Sequence, residues 1–262
     1  MRCAAPLRFT ARDTGLCATP TGLLVNPIRR LPVAISVEQL AAAWARTEDA
    51  PVGATVVVDH EISGRMRLGI PWQTKPADAL ACATVLRPRM LPEAESVLWV
   101  VALVAAARAV GVRPGWPDLL FTDDGQQIGA VTLDVQLGPG TIVSAVVSLR
   151  VDFTTLLLKA GGSSIDTAAA RVEAVAAFAD NARRCSDLAE DQRADLLQEY
   201  AEVSWLTGRR VRAKLLPKGE TRGLAVTVDP LGLLVLESPT GMLERLSPVI
   251  VLRVDPVEQS AE

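Results

Sequence analysis

A chain of 262 residues, 49% of them hydrophobic, is long enough to bury a sizeable core and suits one large domain with a small appendage. Its 27 Lys and Arg against 30 Asp and Glu leave a net charge of −3, which speaks against nucleic acid and against an anionic membrane surface as partners. Four cysteines without metal-ligand spacing and a single histidine, His60, speak against a zinc site, a disulfide framework and a His-dependent nucleophile.

Residues 1–32 are rich in Pro, Gly, Thr and Arg and are expected to form an irregular arm without a secretory signal or a helix-turn-helix. VEQLAAAWAR (37–46) sets Val37, Leu40, Ala41 and Trp44 on one helical face. ATVVVDH (54–60) is β-branched and predicts a buried strand, and ADALACATVLRP (77–88) fits a strand with helix as a competitor. ESVLWVVALVAAARAVG (95–111) is apolar nearly all round and ends in Gly, which predicts a buried helix. Its longest apolar run, Val97 to Ala107, is about half a membrane-spanning length, so the expected compartment is the cytoplasm.

DLLFTDDGQQIGAVTLDVQ (118–136) flanks the turn Asp123-Asp124-Gly125 with two apolar runs, a β-hairpin pattern, and GTIVSAVVSLRVDF (140–153) predicts a further strand. Residues 164–206 have helical texture in two segments, with Asp166 as an N-cap. From Thr207 onward four or five short strands with Gly and Pro turns predict a small barrel.

GRMRLGIPW (64–72) follows the first buried strand directly. Glycines give a loop backbone freedom, and arginines offer planar forks to an anion. Arg65 and Arg67 are present, but Met66, Leu68 and Ile70 are apolar and Pro71 is stiff. From the residues alone the two arginines fit either an anion-binding role or a solvated surface, and Trp72 and Trp116 fit core better than a pocket wall.

The order of these segments resembles the biotin protein ligases, within the wider biotin/lipoate ligase fold. Gly64, Arg65, Arg67, Gly69 and Trp72 match that family's G-R-G-R-x-G-R-x-W loop, and RPGWPDLL matches K-W-P-N-D-L through Trp116, Pro117 and Leu120. GQQIGAVTLD is similar to the family's hairpin through Gly129 and Asp134, VVSLRVDF to its G-I-G-I-N-V strand, and residues 207–238 to its SH3-like barrel. The resemblance implies an α+β fold: an irregular arm over 1–32, a ligase-like domain of mixed sheet and helices over 33–206, and an SH3-like barrel over 207–262. It also implies Arg65 and Arg67 on phosphate, with Gly64, Gly69, Trp72, Trp116, Asp118 and Gly129 as ligand-binding positions. ATP, magnesium and biotin would serve an active member, a biotin or lipoyl carrier domain or another protein would be the partner, and a homodimer stays open.

Departures are concentrated where the family does its chemistry. The lysine before Trp-Pro is Gly115, the loop's middle glycine and later arginine are Met66 and Ile70, and the hairpin lysine is Gln127. A glutamine ahead of the loop is Glu61, the Ser-Thr-Asn of the ligand wall reads Ile35-Ser36-Val37, and the last strand's Gly-Asn signature has become Leu149 to Asp152. Arg113, two residues before Gly115, is the one candidate catalytic replacement for the lost lysine. Two functions follow from these residues: a ligase-like binding protein that no longer adenylates biotin, or a divergent ligase for biotin, lipoate or another carboxylate. In the first, the loop is a fixed surface or a plug and not a catalytic lid.

Overall fold

The computed structural model describes residues 27–48, 50–72, 78–159, 167–188 and 192–257. The arm before residue 27 and the Asp166 cap lie outside them. A seven-stranded mixed sheet runs in the order β1-β2-β3-β7-β6-β5-β4. Its strands are β1 (Ile28–Ala34), β2 (Thr55–Glu61), β3 (Ala79–Leu86), β4 (Arg113–Gly115), β5 (Leu119–Phe121), β6 (Gln127–Gly138) and β7 (Thr141–Asp152). Only β1 and β2 pair in parallel, joined by helix α1 (Val37–Thr47). The sheet thus begins at Ile28, inside the stretch expected to be arm.

Each face of the sheet carries its own helices because alternate side chains point to opposite sides. Val56, Val58, Ala81, Ala83, Val85 and Val146 meet Val37, Ala41 and Trp44 of α1. On the other face Val57, Leu80, Cys82, Val147, Leu149 and Val151 meet α2 (Val97–Val110), α4 (Thr167–Ser186) and α5 (Arg193–Val203). The alanine-rich β3 is a strand, buried over seven of its eight residues, so the helix alternative falls to tertiary packing. Helix α2 is buried almost throughout and stops at Gly111, which takes the left-handed conformation (φ 66°) that lets its N–H reach the Ala107 carbonyl. Among the described residues no helix is long and apolar enough to cross a membrane.

One helix is absent from the expectations above. The strand ends at Asp152, whose carboxylate accepts the Thr155 backbone N–H (2.9 Å) and hydroxyl (2.8 Å), starting α3 (Phe153–Lys159). The C-terminal barrel contains five antiparallel strands, in sheet order β11-β10-β9-β8-β12. They are β8 (Arg210–Leu215), β9 (Glu220–Val228), β10 (Leu234–Glu237), β11 (Leu243–Leu246) and β12 (Val251–Pro256).

Trp116 fastens barrel to body. It is 1% exposed, its backbone N–H donates to the Tyr200 hydroxyl (3.0 Å), and its indole N–H donates to the Gly232 carbonyl in the β9–β10 turn (3.0 Å). Gly232 itself (φ 78°) lies so close to the start of α2 that a Cβ would meet the Ser96 carbonyl oxygen at 2.5 Å. Trp116→Ala is therefore expected to lower unfolding stability by about 3–5 kcal/mol, the cost of emptying a large aromatic site. Urea denaturation followed by tryptophan fluorescence and circular dichroism checks this.

Candidate functional site

Three of the departures from the ligase pattern, at Glu61, at Ile35-Ser36-Val37 and within Leu149 to Asp152, converge on one buried ion pair. Arg150, near the end of β7 where it pairs with Ala81 of β3 and Ala130 of β6, faces the α1 side beside Thr132 and is 1% exposed. Its guanidinium grips Glu61 at the end of β2 in a two-pronged pair, Nε to Oε2 at 2.8 Å and Nη2 to Oε1 at 2.9 Å. Glu61 Oε1 also accepts the Val37 N–H (2.8 Å) at the start of α1, where the helix dipole favours a carboxylate. The third guanidinium nitrogen donates to the Thr132 hydroxyl (3.1 Å), which donates onward to Glu38 of α1 (2.6 Å). Glu38 stands 3.8 Å from Arg150.

The space around the pair is tailored to it. A Cβ on Gly64 would fall 2.6 Å from Glu61 Oε2 and 3.4 Å from Arg150 Nε, and one on Gly129 would fall 2.6 Å from the Arg150 carbonyl. Of these two glycines, both expected at ligand-binding positions, Gly64 packs directly against the network, whereas Gly129 abuts the Arg150 backbone beside Val151 and Leu120.

The loop is a closed hairpin. Trp72 N–H donates to the Gly64 carbonyl (2.9 Å), Met66 N–H to the Ile70 carbonyl (2.7 Å), and Arg65 Nη1 to the Gly69 carbonyl (2.9 Å). Leu68 adopts the left-handed conformation (φ 59°), uncommon for a residue with a branched side chain, beside Gly69 at φ 73°. Leu68 and Ile70 are 48% and 42% exposed, so they form surface and do not plug the interior.

Arg67 is tied to the barrel. Its guanidinium donates to the carbonyls of Pro248 (3.0 Å), Val251 (2.6 Å) and Leu252 (3.0 Å) and pairs with Asp118 at 3.3 Å. Burial pushes the Asp118 carboxyl above its ordinary range, and the Arg67 charge pulls it back. Arg113 turns to the end of α5, donating to the Val203 and Ser204 carbonyls (3.2 Å each) with its guanidinium 5.6 Å over the Trp205 ring. Gly115 has no room for a side chain: a Cβ would lie 2.4 Å from the Phe121 ring, itself stacked on Trp205 at 5.9 Å. Of the residues expected to serve one site, Arg67 and Asp118 meet each other, Gly64 and Gly129 meet Arg150, Trp116 lies in the interior, and Arg113 caps a helix. Trp72 is half-buried.

The family model for the biotin protein ligase C-terminal domain matches residues 206–253, which hold β8 to β11 and the first half of β12. The bifunctional ligase/repressor BirA of Bacillus spizizenii is 23% identical, over 79% of this chain and 69% of that protein, and BirA of Bacillus subtilis aligns to the same extent. Among solved structures, biotin protein ligase from Aquifex aeolicus in complex with biotin and ATP superposes with a TM-score of 0.63 at 16% identity, over 88% of this chain and 99% of the other. Biotin protein ligase from Leishmania major in complex with biotin superposes at 0.54 and 18% identity, over 84% and 98%. The chain has the fold of the biotin protein ligases, and its C-terminal segment matches their C-terminal domain.

Within the biotin protein ligase fold, the sequence signal for the central pair was a lone arginine in the apolar strand VVSLRVDF. A charge at an inward-facing strand position demands a buried acid, and Glu61 answers it. Glu38 and Thr132 had no separate signature. Among the described residues no three His, Cys, Asp or Glu side chains gather as a metal site.

Breaking this pair from one side should cost far more than removing both partners. Arg150→Ala, leaving Glu61 with its side chain 7% exposed, is expected to lose about 3–5 kcal/mol of unfolding stability. The combined Arg150→Met and Glu61→Leu variant should recover a large part of that loss. A double-mutant cycle in urea measures both.

Proposed function

We propose that this protein is a biotin protein ligase-like binding protein that does not adenylate biotin. It acts by binding a partner protein, or a small carboxylate or nucleotide ligand, on the inherited scaffold. The observation that carries the proposal is the buried Arg150–Glu61 pair, which unites the altered ends of β2, α1 and β7 into one internally satisfied network.

Acyl-adenylate formation gathers negative charge on phosphate, and fixed cations and N–H donors aimed at that charge carry most of the catalysis. Arg67 already satisfies three barrel carbonyls and Asp118, so an incoming phosphate would have to compete with all four. No lysine fits at position 115 while Phe121 keeps its place. Removing one such donor typically costs on the order of 3 kcal/mol in the barrier, and two are affected here. The second reading, a divergent ATP-dependent ligase, is favoured by Arg65 alone, whose exposed guanidinium is held only through Gly69 in the described structure. The proposal extends to the domain division at residue 206 and to a cytoplasmic setting.

Isothermal titration calorimetry with biotin, with ATP and with a non-hydrolysable biotinyl-adenylate mimic tests the reading. The expected result is no saturable heat for biotin or the mimic at micromolar protein. Micromolar or tighter binding of the mimic, joined by pyrophosphate release that Arg67→Ala abolishes, would establish the ligase instead.

A further inference from the structure

The charge of the chain is unevenly distributed. Residues 207–257 carry eight Lys and Arg against five Asp and Glu, whereas the whole chain carries 27 against 30. Strand pairing gathers the excess on one face. In β8, Val211 and Ala213 are buried, so Arg210, Arg212 and Lys214 point outward. Register sets Arg212 between Arg222 of β9 and Asp255 of β12, and Lys214 between Glu220 of β9 and Arg253 of β12.

Two of those four neighbour relations join like charges, Arg212 with Arg222 and Lys214 with Arg253. Like charges directly opposite one another weaken a sheet, and a local rule broken without internal compensation marks a functional surface. Compensation here is partial. Glu220 is shared between Arg222 (2.7 Å) and Arg212 (3.9 Å), and Asp255 is taken by Arg253 (2.6 Å). Arg210 and Lys214 enter no ion pair among the described residues.

We propose that the outward face of β8, β9 and β12 docks an acidic segment of a partner protein. Glu220 and Asp255 interrupt the cationic array and would repel the closely spaced charges of a nucleic-acid backbone, whereas separate carboxylates can seat on Arg210 and Lys214 between them. Val226, Leu252 and Val257, 37%, 38% and 43% exposed on these strands or directly after them, offer the apolar contact that a peptide uses. This deepens the proposed function by naming the chemistry of the partner, and it rests on that reading in taking contact with a protein as the mode of action.

Poly-L-glutamate is the probe, titrated into the full chain by fluorescence anisotropy at low and physiological salt. Lys214→Glu combined with Arg222→Glu is expected to weaken binding by about tenfold or more, while Arg46→Glu combined with Arg89→Glu, equal in net charge and remote from the barrel, leaves it within about twofold. Lys214→Thr should weaken binding yet hold or raise the melting temperature, because it removes a like-charge neighbour of Arg253. No binding of polyglutamate, an equal loss in the remote variant, tighter binding of a duplex oligonucleotide, or a lowered melting temperature with binding intact for Lys214→Thr would each overturn the proposal. Such failures leave the adenylation-site reading untouched, and binding of the biotinyl-adenylate mimic would overturn that reading without bearing on this face.

Discussion

Arg150 places a full positive charge inside the sheet–helix interface, and the surrounding structure is arranged to make that tolerable. Burying an unpaired guanidinium would cost several kcal/mol, so the charge must meet a carboxylate with matching geometry and every donor must find an acceptor. Glu61 supplies the carboxylate, the first turn of α1 supplies a further N–H to it, and Thr132 relays the remaining guanidinium donor to Glu38. The network therefore ties β2, β6, β7 and α1 together in one place. The side chains that line this part of the fold bond to one another. A small ligand entering there would have to displace a two-pronged ion pair and a helix-capping contact together.

The second constraint is the way the barrel sits on the body. Trp116 reaches Gly232, Arg67 reaches the chain between Pro248 and Leu252, and the Trp205 N–H donates to the Pro114 carbonyl (2.8 Å). A loop whose arginine is bonded to a neighbouring domain is held in place, and the loop's own cross-hydrogen bonds close it further. Fixing Leu68 in a left-handed conformation costs on the order of 1 kcal/mol, which the barrel contacts of its neighbour Arg67 help to sustain. The glycines that would give a phosphate loop freedom are here turn and packing residues. The positions that build sheet, helices and barrel carry ordinary core residues, and the altered Glu61 and Arg150 are taken up by contacts internal to the chain.

Much of the architecture was legible from residue pattern. The apolar face of α1, the all-round hydrophobicity of α2 with Gly111 after it, and the Asp-Asp-Gly turn between β5 and β6 follow directly from periodicity and turn chemistry. Helix α3 was not legible, because Phe153 to Lys159 continues an apolar strand and only the Asp152 side chain, bonding two residues ahead of the expected end, breaks it. The start of β1 was hidden by Pro32 and two arginines, which suit an edge strand as well as a loop. At the site, the loss of the lysine at Gly115 was visible in one dimension. That Phe121 closes the same space, that Arg67 faces the barrel, and that Glu61 and Arg150 are partners 89 residues apart are facts of long-range packing that no local pattern encodes.

The central claim is that an internal ion pair occupies the space in which a ligase of this fold would need ligand-facing groups. The most direct measurement compares the wild-type chain with a Glu61→Gln and Arg150→Gly double variant, shown to be folded by circular dichroism, in calorimetric titrations with the non-hydrolysable biotinyl-adenylate mimic. The account predicts no saturable binding to the wild type and measurable binding once the pair is removed. Binding of equal strength by both proteins would contradict it, because the pair would then have no bearing on ligand access.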